Sequence, residues 1–265
     1  MRDWTGSTAF ITGGARGIGL GIARALVKRG VRVALADVDE QALARAGEEL
    51  AAATHLLDVR DREAFDRVAG EVGPVDLLVN NAGIVPHVPV TELTHEKWDR
   101  ALAVNLTGVI NGIQAFLPGM IERGSGYVVN TASGAGLVSD PNLLYATAKF
   151  AVVGLSESLR LNVAAHGVGV SVLCPGPVGT DIVANTRASH ADLGLRDEFV
   201  PAVEAFLRSG PGIDEVGEMV VAGVERREQW IFTGDEIRPH LEQRAAALLA
   251  ALGGQATASV LPVST

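Results

Sequence analysis

A tyrosine and a lysine stand four residues apart in the segment YATAK, residues 145–149, of a chain with only two tyrosines among 265 residues. Side chains four apart on a helix lie on the same face, so a helix here would place a phenol beside an ammonium. Free tyrosine has a pKa of about 10 and needs a nearby cation to act as a base at neutral pH. An ammonium about 4 Å away would contribute roughly 4 kcal/mol at an effective dielectric of about 20. We therefore predict that Tyr145, with Lys149 beside it, titrates close to neutral pH.

Two other polar side chains could serve the same proton-transfer chemistry. Ser133 follows a strand-like run in VVNTASGAG, where its hydroxyl could donate to a substrate oxygen, although a turn-forming serine is the alternative. Asn105 interrupts the apolar segment ALAVNLTGVI. A buried helical asparagine needs partners, so we expect a relay water or a backbone kink there, or an amide satisfied within the core. Such a set could pass a proton to or from a substrate oxygen, whereas a YxxxK pair alone is usually a surface contact.

Glycines cluster where the first strand must turn into the first helix, in the segment TGGARGIG. Gly13, Gly17 and Gly19 let the backbone turn tightly and approach a pyrophosphate, and the free N–H groups near Ile18 favour its negative charge. A plain tight turn is the alternative. The position between strand and helix favours a dinucleotide cradle.

Two charged residues bear on which dinucleotide the cradle would bind. Asp37 follows the second strand, where a carboxylate can accept hydrogen bonds from the adenosine ribose and repel a 2′-phosphate. Arg16, inside the glycine turn, could instead pair with a 2′-phosphate or remain a solvated turn residue. We predict NAD rather than NADP, with Asp37 deciding.

Two later strand ends could complete the cofactor site. Asp58 with Val59 closes the third strand, and Asp58 could accept from the adenine amino group or serve as the N-cap of the following helix. The segment NNAG, residues 80–83, closes the fourth strand. Asn81, Ala82 and Gly83 would then form a wall against the cofactor, with a simple Asn/Gly turn as the alternative.

Strand-like and helix-like segments alternate along the chain, which predicts a parallel sheet with right-handed crossovers and helices on both faces. This is a doubly wound α/β fold of about seven strands in a single domain, residues 1–265. The strand candidates are TAFIT, VRVALAD, HLLDV, VDLLVN, GYVVNTAS, VGVSVLCPG and QWIFTG. The helix candidates are Ile18–Arg29, Glu40–Ala52, Arg62–Glu71, 95–122 and 145–166.

Three segments depart from this alternation. Residues 176–212 form a long mixed insert that we interpret as a substrate lid. Its apolar side chains, which could border a hydrophobic substrate, are Val183, Leu193, Leu195, Phe199, Val200 and Phe206. After the last strand the chain continues into a charged and then Ala/Leu-rich helix. Residues 253–265 have no helical pattern and are predicted to be a loose tail or a subunit contact.

Composition excludes several classes of partner. The net charge of −9 disfavours binding to nucleic acid or an anionic membrane, and we find no apolar run approaching a membrane span. The N-terminus lacks the apolar stretch of a signal peptide, and the single cysteine, Cys174, permits no internal disulfide. The six histidines show no metal-ligand spacing. We predict a cytoplasmic protein with small-molecule partners and no metal.

Taken together, these motifs resemble the short-chain dehydrogenase/reductase family. The matching residues are Thr12-Gly-Gly-Ala-Arg-Gly-Ile-Gly19, Asp37, Asp58, Asn80-Asn-Ala-Gly83, Asn105, Ser133, Tyr145, Lys149 and Pro175-Gly-Pro-Val-Gly-Thr180. The resemblance implies a Rossmann-like sheet, a nicotinamide cofactor and hydride transfer between an alcohol and a carbonyl. It also implies Tyr145 as acid/base, Lys149 as its partner, Ser133 as the donor to the substrate oxygen and Asn105 in a proton relay.

The same resemblance completes the predicted cofactor contacts and the assembly. Those contacts are Gly13, Arg16, Gly17, Ile18, Gly19, Asp37, Asp58, Val59, Asn81, Ala82, Gly83, Tyr145, Lys149, Pro175, Gly176, Val178 and Thr180. The family usually forms dimers or tetramers through its two long helices, here about 95–122 and 145–166. The extension after the last strand departs from the common pattern and resembles a subgroup that acts on bulky secondary alcohols. Two other functions remain alternatives: a non-catalytic dinucleotide sensor, and an epimerase or dehydratase of the related longer branch.

Overall fold

The computed structural model describes residues 4–252, and seven parallel strands form one sheet in the order β3-β2-β1-β4-β5-β6-β7. The strands are β1 Thr8–Thr12, β2 Arg32–Asp37, β3 Ala53–Leu56, β4 Leu77–Asn80, β5 Gly126–Thr131, β6 Val168–Cys174 and β7 Trp230–Phe232. Strands β4, β5 and β6 are buried along their whole length, which is why they read as continuous apolar runs rather than alternating ones. The predicted tail, residues 253–265, lies outside the described residues.

Helices connect the strands and cover the sheet. They are α1 Gly17–Val27, α2 Glu40–Leu50, α3 Arg62–Val72, α4 His95–Leu102, α5 Gly108–Glu122, α6 Leu143–Val163, α7 Ile182–Ser189, α8 Val200–Arg208, α9 Ile213–Glu225 and α10 Arg238–Ala251. Several helices begin at an N-cap side chain. Asp39 accepts from the Ala42 N–H at 2.8 Å at the start of α2, and Asp61 accepts from the Ala64 N–H at 3.0 Å at the start of α3.

Two apolar cores lie on opposite faces of the sheet. On one face α3, α5 and α6 pack around Phe10, whose ring lies 4.9 Å from that of Phe116 between centroids. On the other face α1, α2 and α9 pack around Ile11 and Leu35. Neighbouring residues of one strand point to opposite faces, so each buried strand supplies both cores. The predicted doubly wound α/β fold is confirmed.

The strand order reverses between β1 and β4, which are neighbours although α1, β2, α2, β3 and α3 separate them along the chain. On either side of this point the connections leave toward opposite faces of the sheet, so a crevice opens beyond the carboxyl ends of the strands. The glycine turn follows β1 and NNAG begins at the end of β4. The topology therefore brings these two motifs to one edge of the sheet.

Two element boundaries differ from the sequence prediction. The third strand, predicted at HLLDV, runs over Ala53–Leu56 instead, because it is the outermost strand and is largely exposed, so burial does not mark its limits. The segment His95–Glu122 is not one regular helix, since a π-helical turn, Ala103–Thr107, separates α4 from α5.

The same segment is the one candidate membrane span found among residues 4–252, with a mean hydropathy of 1.3 over its most apolar window. Half of that window is buried inside the protein, as in a core helix of a soluble fold. The sequence prediction concerned consecutive apolar residues, whereas this segment qualifies by the mean hydropathy of a window that also contains polar residues.

Candidate active site

Ser133 and Tyr145 meet beyond the carboxyl end of β5. Ser133 follows β5 in extended conformation, and its hydroxyl both accepts from the Ala135 N–H at 3.2 Å and hydrogen-bonds the phenol of Tyr145. Tyr145 lies in the first turn of α6, where the side chain of the N-cap Asn142 accepts from the Tyr145 N–H at 3.4 Å. The end of β5 and the first turn of α6 therefore bring Ser133 and Tyr145 together, and the Asn142 cap fixes the backbone at Tyr145.

Lys149 lies one turn further along α6 and is 3% exposed. Its ammonium donates to the Thr131 carbonyl oxygen at 2.9 Å and lies 5.5 Å from the centre of the Tyr145 ring. Burial lowers the pKa of Lys149 to about 8, since the charged form loses hydration. An ammonium has three N–H donors, and Thr131 takes one of them.

The phenol of Tyr145 does not titrate near neutral pH in the chain alone. Burial raises its pKa to about 12, and the hydrogen bond from Ser133 only partly opposes this rise. The sequence prediction assumed an ammonium about 4 Å from the phenolate in a screened environment. In the structure the Lys149 ammonium lies over the Tyr145 ring and donates its hydrogen bond to the Thr131 carbonyl oxygen rather than to the phenol. The loss of hydration therefore determines the pKa of Tyr145.

Asn105 lies inside the π-helical turn and is fully buried. Its amide oxygen accepts from the Ile84 N–H at 3.1 Å, and its amide nitrogen donates to the Ala101 carbonyl oxygen at 3.2 Å. The backbone is therefore distorted and the amide is satisfied, two outcomes that the sequence analysis weighed as alternatives. Single π turns are frequent at functional sites, where they re-aim one side chain.

Gly83 leaves open the space between these groups. A Cβ added there would lie 3.0 Å from the Asn105 amide oxygen and 3.6 Å from the Lys149 ammonium nitrogen. The NNAG segment therefore lies beside Asn105 and Lys149, and a side chain at position 83 would narrow the gap between them.

The glycine turn after β1 has the shape that a pyrophosphate cradle requires. Gly13 and Gly17 have φ angles of +62° and +55°, in the left-handed region. A Cβ on Gly19 would lie 2.2 Å from the Gly13 carbonyl oxygen, so the turn closes on itself at the start of α1. Helix α1 begins at Gly17 with no side-chain cap from Arg16, and the N–H groups of a first helical turn, here including Ile18, favour a bound anion. These residues fit a nicotinamide dinucleotide.

Thr12, at the end of β1, hydrogen-bonds the start of the segment after β4, a role that the sequence analysis missed. Its hydroxyl accepts from the N–H groups of Asn81 and Ala82 at 3.0 and 3.1 Å. The Asn81 side chain donates to the carbonyl oxygens of Thr12 and Gly13, at 3.2 Å each, and accepts from Thr131 at 3.3 Å. The side-chain amide of Asn81 thus ties strands together instead of standing free for a ligand.

Asp37 lies at the end of β2, beside the glycine turn. Its carboxylate accepts from the Ala15 N–H at 3.2 Å and from the Asp39 N–H at 3.1 Å. The guanidinium of Arg16 is not free, because it pairs with Asp39 and donates to the Asn185 amide oxygen at 2.6 Å. The arginine is therefore held between the end of β2 and α7.

Asp58 does not cap the following helix, because Asp61 is the N-cap of α3. Asp58 instead pairs with Arg60, at 2.6 Å. Burial raises the pKa of Asp58, but the hydrogen bonds and charge of Arg60 outweigh it and hold the pKa below its usual value. Val59 is 6% exposed in the core, so only its backbone could contact a cofactor.

The segment Pro175–Thr180 leads from β6 to the insert. Gly176 donates its N–H to the Thr233 hydroxyl at 3.0 Å, and Val178 is buried. The methyl carbon of Thr180 lies 3.6 Å from where a Cβ of Gly17 would be, which places Thr180 against the glycine turn. The structure therefore brings Thr180, at the end of this segment, to the cradle, and the contact of the segment with a cofactor stays a prediction.

The insert after this segment folds into α7, α8 and two short 3₁₀ turns, and its first half is held against the crevice. The Val85 N–H donates to the Thr186 hydroxyl at 3.0 Å, and the His87 N–H donates to the Leu193 carbonyl oxygen at 2.7 Å. Arg100 and Arg196 pair with Asp192 and Glu92, respectively. Thr186 is a contact that the sequence did not single out.

Only some of the predicted apolar side chains of the insert face inward. Val183, Leu193 and Leu195 are buried, whereas Phe199 and Phe206 are 51% and 58% exposed. The prediction that these phenylalanines border a substrate is not supported by their positions. The inward-facing side chains are packed inside the protein, and Leu193 belongs to the apolar core around Phe10.

No group of three or more His, Cys, Asp or Glu side chains positioned to hold a metal ion occurs among residues 4–252. Cys174 is buried at the end of β6, where burial raises its thiol pKa to about 12. Cys174 is a free thiol.

Comparisons with known proteins agree with this geometry. The family model described as short chain dehydrogenase matches residues 7–191. The chain is 33% identical to C alpha-dehydrogenase of a Sphingobium species over 94% of this chain and 87% of the relative. It is 37% identical to sorbitol dehydrogenase of Cereibacter sphaeroides, over 80% of this chain and 88% of that protein.

A solved structure extends the agreement to the whole fold. A short chain dehydrogenase/reductase from Burkholderia phymatum in complex with NAD superposes with a TM-score of 0.86 at 30% identity, covering 100% of both chains. The relatives are oxidoreductases, and the cradle fits the nicotinamide dinucleotide found in this neighbour. The chain therefore belongs to the short chain dehydrogenase family of nicotinamide-dependent oxidoreductases.

Proposed function

We propose that the protein is an NAD-dependent dehydrogenase that interconverts a bulky, hydrophobic secondary alcohol and its ketone. The observation that carries this proposal is the meeting of Ser133, Tyr145 and Lys149 beside the dinucleotide cradle, with Asn105 behind them. The buried Val183, Leu193 and Leu195 of the insert support an apolar substrate.

Tyr145 would exchange the hydroxyl proton of the substrate. In the chain alone its phenol is protonated at neutral pH, so it is ready to act as the acid in ketone reduction. Ser133, which bonds the phenol, would donate to the substrate oxygen and stabilise the developing charge. When bound, the nicotinamide ring supplies the hydride acceptor or donor.

Lys149 and Asn105 would support this proton transfer. The N–H donors of Lys149 that Thr131 does not take can reach toward a ribose hydroxyl or a relay water. Asn105 positions the NNAG wall by accepting from Ile84, so the reacting groups keep their spacing.

NAD is favoured over NADP in this proposal. Asp37 presents a carboxylate at the end of β2, and Asp39 occupies the nearby guanidinium of Arg16. A 2′-phosphate would meet negative charge and find no free cation in the glycine turn. The same argument favours alcohol oxidation as the working direction without excluding its reverse.

We extend the proposal to a homodimer or homotetramer in the cytoplasm. Leu143 and Leu161 are 45% and 69% exposed on α6, one of the two helices through which the family usually associates. The single, buried free thiol is compatible with a reducing compartment. Light scattering of the purified protein would measure the assembly, and a monomer at micromolar concentration would contradict it.

The test of the activity is a panel of hydrophobic secondary alcohols and ketones, graded in size and assayed separately with NAD and NADP. We expect turnover with NAD that increases with the apolar bulk of the substrate. Turnover with neither cofactor on any member would overturn the proposed reaction, and a preference for NADP would overturn the assignment of Asp37. Conversion of a nucleotide sugar without net redox change would favour the epimerase alternative.

A further inference from the structure

Arg16 of the glycine turn is bound on two sides by groups outside that turn. Its guanidinium pairs with the carboxylate of Asp39, which follows β2, and donates to the amide oxygen of Asn185 in α7 at 2.6 Å. The side chains of Arg16 and Asp39 are 36% and 42% exposed, so a ligand could reach both. One cation thus links the ribose end of the cradle to the insert.

The position of this pair relates it to the choice of dinucleotide. Arg16 directly precedes Gly17 of the cradle, and the N–H of Asp39 donates to the carboxylate of Asp37 at 3.1 Å. A 2′-phosphate at the ribose end would add a charge of about −2 beside two carboxylates, and its nearest possible partner in the glycine turn is Arg16. Asp39 already occupies that partner.

We propose that Asp39 is a specificity-determining residue, which disfavours NADP by holding the guanidinium of Arg16. This inference rests on the proposed NAD-dependent function and assigns part of its selectivity to a residue other than Asp37. Asp37 repels the 2′-phosphate directly, whereas Asp39 acts through Arg16. Asn185 engages the other arm of the guanidinium, but as a neutral amide it competes less with a phosphate.

Asp39 has a second role that any substitution has to preserve. Its other carboxylate oxygen accepts from the Ala42 N–H at 2.8 Å and caps α2. Asparagine and serine cap helices about as well as aspartate, so Asp39→Asn and Asp39→Ser keep the cap while removing the charge that holds Arg16. Asp61→Asn provides the matched control, because Asp61 caps α3 with the same geometry and has no arginine partner in the described ion pairs.

The experiment is a titration of the purified full chain with NADH and with NADPH, followed by the fluorescence of the reduced nicotinamide. The proteins compared are the natural chain, Asp39→Asn, Asp39→Ser, Asp61→Asn and the double variant Arg16→Ala/Asp39→Asn. We expect both Asp39 variants to bind NADPH about tenfold more tightly than the natural chain. This gain corresponds to one charge-assisted hydrogen bond between Arg16 and the 2′-phosphate, made smaller by the repulsion from Asp37 that remains. Their affinity for NADH should stay within about threefold.

The double variant separates the action through Arg16 from simple loss of negative charge. If Asp39 acts through Arg16, the gain for NADPH disappears in Arg16→Ala/Asp39→Asn, and Asp61→Asn shows no gain. A gain that persists without Arg16, or NADPH affinity unchanged in both single Asp39 variants, overturns the inference. If the natural chain binds neither nucleotide, the proposed function itself fails, which distinguishes the two outcomes.

Discussion

The two ends of the cofactor site use charge in opposite ways. At the reactive end Lys149 is 3% exposed and has a strongly lowered pKa, because burial removes the water that would stabilise its charge. At the ribose end Arg16 and Asp39 are 36% and 42% exposed and neutralise each other. The hydrogen bond from the Ala42 N–H and the charge of Arg16 lower the pKa of Asp39, so its carboxylate stays charged at neutral pH.

The difference indicates which physical term controls each function. Where the groups must exchange protons, desolvation moves their pKa values apart, raising that of the phenol to about 12 and lowering that of the ammonium to about 8, because burial disfavours both charged forms. Where a ligand must be selected, exposed ion pairs add little stability but decide which charges remain free for the ligand. Substitutions at each end should therefore separate catalysis from binding.

The largest expected effect is at the reactive end. Tyr145→Phe removes the phenol and keeps the ring, so we expect kcat/KM to fall by about 10³-fold, within the range for loss of a general acid or base. The Kd for NADH should change by less than about threefold, because the cradle is untouched. Steady-state kinetics and a fluorescence titration measure the two quantities. Unchanged turnover would contradict the role of Tyr145.

The reverse separation is expected in the cradle. Gly19→Ala puts a Cβ 2.2 Å from the Gly13 carbonyl oxygen, so we expect NADH binding to weaken by about 100-fold as the turn is forced open. Gly70→Ala is the control, because a Cβ there meets nothing within 4 Å. Equal NADH affinities for the two variants, measured by titration, would show that the turn tolerates the added carbon.

The next effect concerns the charge buried at the reactive end. The pKa of Lys149 is lowered to about 8 in the folded chain, so between about pH 8 and its ordinary pKa the unfolded chain binds more protons than the folded chain. The free energy of unfolding should therefore rise with pH in this window. Relative to Lys149→Met, the natural chain should gain about 1 kcal/mol between about pH 8 and 9. Urea unfolding of both proteins at each pH measures the gain, and parallel stabilities would contradict the lowered pKa.

The smallest effect tests how the reactive end is held. Asn142→Ala removes the side chain that accepts from the Tyr145 N–H, and we expect a loss of about 1 kcal/mol in the free energy of unfolding. We also expect kcat to fall severalfold, because the first turn that carries Tyr145 loosens. Asn142→Ser should restore both. In the control Thr94→Ala, which removes the cap of α4, stability should fall alike while kcat is retained.

Most of the fold could be predicted because its signals are local. Buried strands read as apolar runs, and amphipathic helices and a glycine turn follow one another at regular spacing. The third strand was misplaced because β3 is an exposed edge strand, so hydrophobicity does not mark its ends. The π-helical turn at Asn105 was anticipated only as a kink, since it depends on the contacts of a buried amide with Ile84 and Ala101.

The candidate site was predicted in its members but not in all of their partners. The residue types and order of Ser133, Tyr145 and Lys149 could be read from the chain. The Asp39 partner of Arg16, the capping role of Asp61 and the fastening role of Thr12 could not. Each of these depends on which of several nearby polar groups lies within hydrogen-bond distance.

The sequence by itself determined the family, the α/β fold and the residues available for chemistry, because motif spacing and hydrophobic periodicity are properties of neighbouring residues. Only the tertiary structure decided the pKa values of those residues and which groups they contact. Burial beyond β5 makes Tyr145 a weaker acid than free tyrosine, and the approach of α7 and the end of β2 engages Arg16. Desolvation and long-range pairing arise when distant segments meet, so they are set by the fold rather than by spacing along the chain.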